Sequence, residues 1–123
     1  MSNCIAIVKG DVAFHKSVLN IPALRSKIEA VKGIKEPTID EDGKWMIWYF
    51  LEANTAFHGD YALINFGAGR SVHCWRDFFG LLNHVIKPLM LGSKSHKFLA
   101  MDTDSGENKW CSMTVNFKDG VKW

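Results

Sequence analysis

Cysteine is scarce in this chain, and what there is forms no pattern. Cys4, Cys74 and Cys111 are odd in number and far apart, which argues against a disulfide framework and fits a reducing compartment. No apolar stretch approaches the ~20 residues of a membrane-spanning helix. Met1-Ser2-Asn3-Cys4 lacks the charged region and long apolar run of a signal peptide. These features predict a cytoplasmic protein with no membrane association. Charge of one sign is also missing. The formal net charge of +2 does not supply the basic footprint of a dedicated nucleic-acid binder, so nucleic acid is not expected as a partner. There are no internal repeats, no low-complexity segment and no motif that fixes a reaction.

What remains is a chain of 123 residues with ordinary hydrophobic (47%) and charged (23%) content. This fits a single domain over residues 1–123. Its most informative stretch is Lys44 to Glu52, K-W-M-I-W-Y-F-L-E. Read as a strand, it places Trp45, Ile47, Tyr49 and Leu51 on one face and Met46, Trp48 and Phe50 on the other. Both faces then need cover, which predicts a central strand.

The remaining elements follow from local pattern. Residues 4–9 are rich in β-branched side chains and predict a first strand. Gly10-Asp11 is a turn signal, and residues 12–18 suit either a strand or a loop. Asn20 is a helix cap with Pro22 in the first turn, and Leu24, Ile28 and Val31 recur at helical spacing. Residues 34–43 form a polar connection. Its acidic run Asp40-Glu41-Asp42 lacks the alternating ligands of a calcium loop. Residues 54–59 read as a turn, 60–66 as a strand paired antiparallel with 44–52, and 72–87 as the longest helix, capped by Ser71. Its apolar stripe is Trp75, Phe78, Phe79, Leu82, Val85, Ile86 and Leu89. Two strands, 96–102 and 109–117, close the chain, with a turn at 118–120. This order predicts an α+β fold: a mostly antiparallel sheet with two helices on one face, similar to a ferredoxin-like sandwich with an extra strand.

Candidate sites are of two kinds. The junction I-N-F-G-A-G-R-S-V-H offers the Gly67 and Gly69 amides, the Arg70 guanidinium, Ser71, His73 and a helix N-terminus to a phosphate or carboxylate. It is neither a Walker A loop nor the dinucleotide fingerprint, and the simpler reading is a flexible turn ending in a helix cap. The five histidines have no local zinc spacing; His73 and His84 share a helical face but lie ~16 Å apart. Neither a metal nor a cofactor is expected. Cys74 beside His73 reads as a packed thiol, His58-Gly59-Asp60 as a turn, and Asp102, Asp104 and Glu107 as solvated hairpin charges.

The second kind is aromatic. Five tryptophans stand out in a chain this short. In the last strand Cys111, Met113, Val115 and Phe117 form one face, and Trp110 shares the other with Ser112, Thr114 and Asn116. Rings on a polar sheet surface anchor partners. Trp45, Trp48, Tyr49 and Trp110 are therefore the candidate contact residues. The function expected is a non-enzymatic protein-interaction module, a small inhibitor or antagonist of the immunity or anti-defence type. It would bind another protein or itself as a homodimer. The alternative is a small-ligand binder or enzyme holding an anion at Gly67–Ser71.

Overall fold

The computed structural model describes residues 6–32, 50–66, 71–72, 75–102, 106 and 109–122. The chain forms an α+β fold with antiparallel sheets. Strands β1 (Ala6–Lys9), β5 (Ser71–Val72), β6 (Ser95–Asp102), β7 (Trp110–Asn116) and β8 (Gly120–Lys122) make a five-stranded sheet in the order β5-β1-β6-β7-β8. Strands β2 (Asp11–His15), β3 (Thr55–His58) and β4 (Tyr61–Asn65) make a three-stranded sheet in the order β2-β4-β3. The strands thus divide between two sheets, a refinement of the single sheet expected.

The two sheets share one run of chain. Residues 6–15 are a single extended segment interrupted only at Gly10. The half before Gly10 pairs with β5 and β6, and the half after it pairs with β4. Gly10-Asp11 is therefore not a hairpin turn, as its residue types suggest, but a bend at which one strand changes sheets. Gly10 has φ +147°, and a Cβ placed there would sit 2.7 Å from Cδ1 of Phe98. Only glycine fits both the backbone angle and the approach of the ring.

Alternation along the strands points one set of side chains inward. Val8, Val12, Phe14, Ala62, Ile64, Phe98, Ala100, Met113 and Val115 are buried, while their neighbours face out. Phe66 and Phe117, just past the ends of β4 and β7, are buried as well. Where the sheets meet, five phenylalanines interlock. Phe14 lies edge-on to Phe117 at 4.9 Å, and Phe66 meets Phe98 at 5.5 Å and Phe78 at 6.3 Å. Such edge-to-face pairs add to area burial.

Helices pack onto this inward side. Helix α1 (Ile21–Lys32) buries Ile21, Leu24, Ile28 and Val31, the face its spacing predicts. The Asn20 Oδ1 caps it by accepting from the Ala23 amide at 3.2 Å, and the Asn20 amide donates to the Leu89 carbonyl at 2.8 Å. The Arg25 guanidinium lies over the Phe57 ring of β3 at 4.1 Å. Residues 50–54 are helical and belong to α2. Helix α3 runs as Trp75–Gly80, a π-helical stretch Leu81–Ile86, and Lys87–Leu89. It buries Phe78, Leu81, Leu82, Val85 and Ile86. The Lys87 amide donates to the Leu82 carbonyl, a reach of five residues rather than four. Pro88, which follows, has no N–H to give the α-helical ladder.

Three expectations need correction. Residues 50–52, expected to end a central strand, are helical. Leu, Glu and Ala are strong helix formers, Leu51 is completely buried, and the Asn54 side-chain Nδ2 donates back to the Phe50 carbonyl at 2.8 Å. The rest of that expected strand, 44–49, lies outside the described residues. The antiparallel partners of β4 are instead β2 and β3, the latter at residues 55–58, where the sequence suggests a turn; Gly59, at φ +56°, makes the two-residue hairpin loop with Asp60. Ser71 is not a helix cap. It sits in β5 opposite Ile7 of β1, and the described helix that follows is Trp75–Gly80.

Candidate interaction face

The outward side of the five-stranded sheet is built by strand register. Lys9 of β1 stands opposite Leu99 of β6, Leu99 opposite Ser112 of β7, and Met101 opposite Trp110. All of these belong to the parity that points away from the core. Leu99 and Trp110 are diagonal neighbours, a relation that puts side chains about 7–8 Å apart, within reach of an aromatic ring. Leu99 is 49% exposed and Trp110 39%. The Lys9 ammonium lies 4.6 Å from the centre of the Trp110 ring. Lys9 and Trp110 are two strands apart, so the lysine stem passes over β6 before its charge meets the ring, shielding apolar surface on the way. Lys97 shares this side of β6 and is exposed.

Trp110 thus stands where the alternation of β7 predicts, opposite in sense to the buried Met113, Val115 and Phe117. Cys111 departs from that reading. It has the inward parity, yet its thiol is exposed, with Sγ 3.8 Å from the Lys109 carbonyl, because it lies near the end of the strand beyond the packed core. Trp45, Trp48 and Tyr49 lie outside the described residues, as do Gly67, Gly69, Arg70 and His73 of the anion loop. Of that loop only Ser71 is placed, in β5. Sequence reasoning misses Leu99, Met101 and Lys9. S-H-K-F-L-A-M-D of β6 is apolar on both parities in its second half, so alternation alone gives no outward side to read.

The three-stranded sheet carries a second, smaller outward patch. Tyr61 is 48% exposed and Leu63 36%. Tyr61 stands between His15 of β2 and His58 of β3 in register, and its ring meets that of His15 edge-on at 4.9 Å. The His15 Nδ1 accepts the Ser17 amide at 3.1 Å. These groups sit on an open surface.

Between the two sheets, beside Gly10, lies His96. Burial holds its pKa below the ordinary histidine value of 6.5, the nearby Lys94 charge adds to this, and Asp11 acts in the opposite direction. The His96 ring packs edge-on against Phe98 at 4.7 Å. Among the described residues no three His, Cys, Asp or Glu side chains gather as metal ligands, and no helix is long and apolar enough to cross a membrane.

No protein-family model, curated protein or solved structure matches this chain.

Proposed function

We propose that this chain is a non-enzymatic interaction module that binds another protein, or a second copy of itself, through the outward side of β6 and β7. The supporting observation is the side-by-side exposure of Leu99 and Trp110 on one sheet surface. Adjacent large apolar side chains at a surface mark interaction sites more often than isolated ones do, and tryptophan is among the residues that most often dominate binding energy. Lys9 and Lys97 flank them and supply the polar rim such sites carry. A small inhibitor or antagonist, of the immunity or anti-defence type, is the role we infer for a module of this size.

The test is Trp110→Ala, alone and with Leu99→Ser. Light scattering and affinity capture are run on wild type and variants, with circular dichroism as the check on folding. The expected outcome is loss of association with an unchanged fold, because both side chains point away from the core. Association that survives both substitutions, with the same mass and the same captured proteins, removes the basis for this face.

A further inference from the structure

A cleft separate from the Trp110 face lies between α3 and the β7–β8 hairpin. It is open to solvent on one side and holds about 250 Å3, and its walls include Phe79, Leu82, Asn83 and Lys87 of α3 and Val115 and Val121 of the hairpin. An apolar cavity of about 150 Å3 is enough to take benzene in a well-packed protein. Leu82 and Val115, nearly buried, form the floor, and Phe79 and Val121 are half-buried at the sides. Asn83 and Lys87 are exposed at the mouth. Neither ion pair among the described residues involves Lys87.

The π-helical turn assembles this arrangement. In an α-helix, residues five apart diverge by about 140° around the axis. The bond from the Lys87 amide to the Leu82 carbonyl closes a wider turn, which swings the two residues toward the same side, and both reach the cleft. Turns of this kind inside α-helices occur frequently at functional sites.

We propose that the cleft binds a small amphiphilic carboxylate. Its hydrocarbon body packs against Phe79, Leu82, Val115 and Val121, and its carboxylate accepts from the Lys87 ammonium and the Asn83 amide. An apolar floor with a cation at the mouth fits this class of ligand, gives it one interaction that a neutral hydrocarbon lacks, and disfavours a cation.

Octanoate is the probe. Titrated into the full chain and followed by methyl NMR, it is expected to shift Leu82, Val115 and Val121 and to leave Leu99 in place. Lys87→Gln is expected to weaken octanoate about three- to fivefold, the effect of losing an ion pair at an exposed position, and octanol is expected to bind wild type no better than octanoate binds that variant. Val121→Trp fills the cleft and abolishes the shifts. Should that variant fail to fold, Lys87→Gln at its exposed position carries the test. No methyl shift at millimolar octanoate, or shifts centred on Leu99, overturns the site. An affinity that Lys87→Gln leaves unchanged overturns the carboxylate assignment.

Discussion

Gly10→Ala tests the junction between the sheets. The added methyl would lie 2.7 Å from Cδ1 and 3.0 Å from Cε1 of Phe98, so either ring or backbone must move. The ring has nowhere easy to go. Phe98 is completely buried and makes edge contacts with Phe66 at 5.5 Å and Phe78 at 5.9 Å. Overpacking of this kind costs about 1–3 kcal/mol. The φ of +147°, now imposed on a residue with a Cβ, adds about 1–3 kcal/mol. Together, about 2–6 kcal/mol is set against a total stability of about 5–15 kcal/mol. For a domain of this size that is a fall in Tm of roughly 8–24 °C. Urea unfolding followed by circular dichroism measures the free energy, and thermal unfolding the Tm. Gly59→Ala is the control. Gly59 has φ +56°, and a methyl there would meet nothing within 4 Å, so only the backbone penalty of about 1–2 kcal/mol applies. Pairing Gly10→Ala with Phe98→Leu is expected to recover part of the loss, with a coupling above about 0.5 kcal/mol. If Gly10→Ala costs no more than Gly59→Ala, or shows no coupling to position 98, the reasoning about this bend is wrong.

Two further perturbations probe other links. Asn20→Ala removes the cap on α1 and is expected to cost about 1 kcal/mol in urea unfolding; an unchanged midpoint would mean that the Asn20 side chain is dispensable there. His96 has a folded-state pKa below 6.5, so below that pH the unfolded chain holds more protons than the folded one. Its contribution to stability is therefore complete above about pH 6.5 and is lost as pH falls through the lowered folded value. Replacing it by His96→Gln is expected to flatten that part of the stability–pH curve, and a slope identical to wild type between about pH 7 and 5 would contradict this.

Helix α1 and the β6–β7 hairpin are legible in the sequence for the same reason: local pattern and tertiary demand agree there. Asn20, Pro22 and the Leu24–Ile28–Val31 spacing specify a capped amphipathic helix, and a dense turn separates the strands of the hairpin. The stretch ending at Glu52 is not legible. A run of apolar residues has no periodicity, so nothing in its spacing announces that residues 50–54 are helical. Strand β3, T-A-F-H, is short and half-polar, and pairing with β4 makes it a strand. At Ser71, backbone pairing with β1 overrides a plausible cap. Of the proposed contact face, Trp110 is visible because the β7 sequence alternates. Leu99 and Lys9 become visible only once register sets them beside it. The π turn in α3 leaves no signature in L-L-N-H-V-I, so the cleft it helps to build is hidden as well.

Sharing residues 6–15 between both sheets has a consequence for how the molecule comes apart. There is no seam along which one sheet can peel away while the other stays intact, since unzipping either tugs on the same backbone and on the ring cluster beneath it. Amide protons of Ile64 and of Met113, one in each sheet, are then expected to become open to exchange in the same cooperative event.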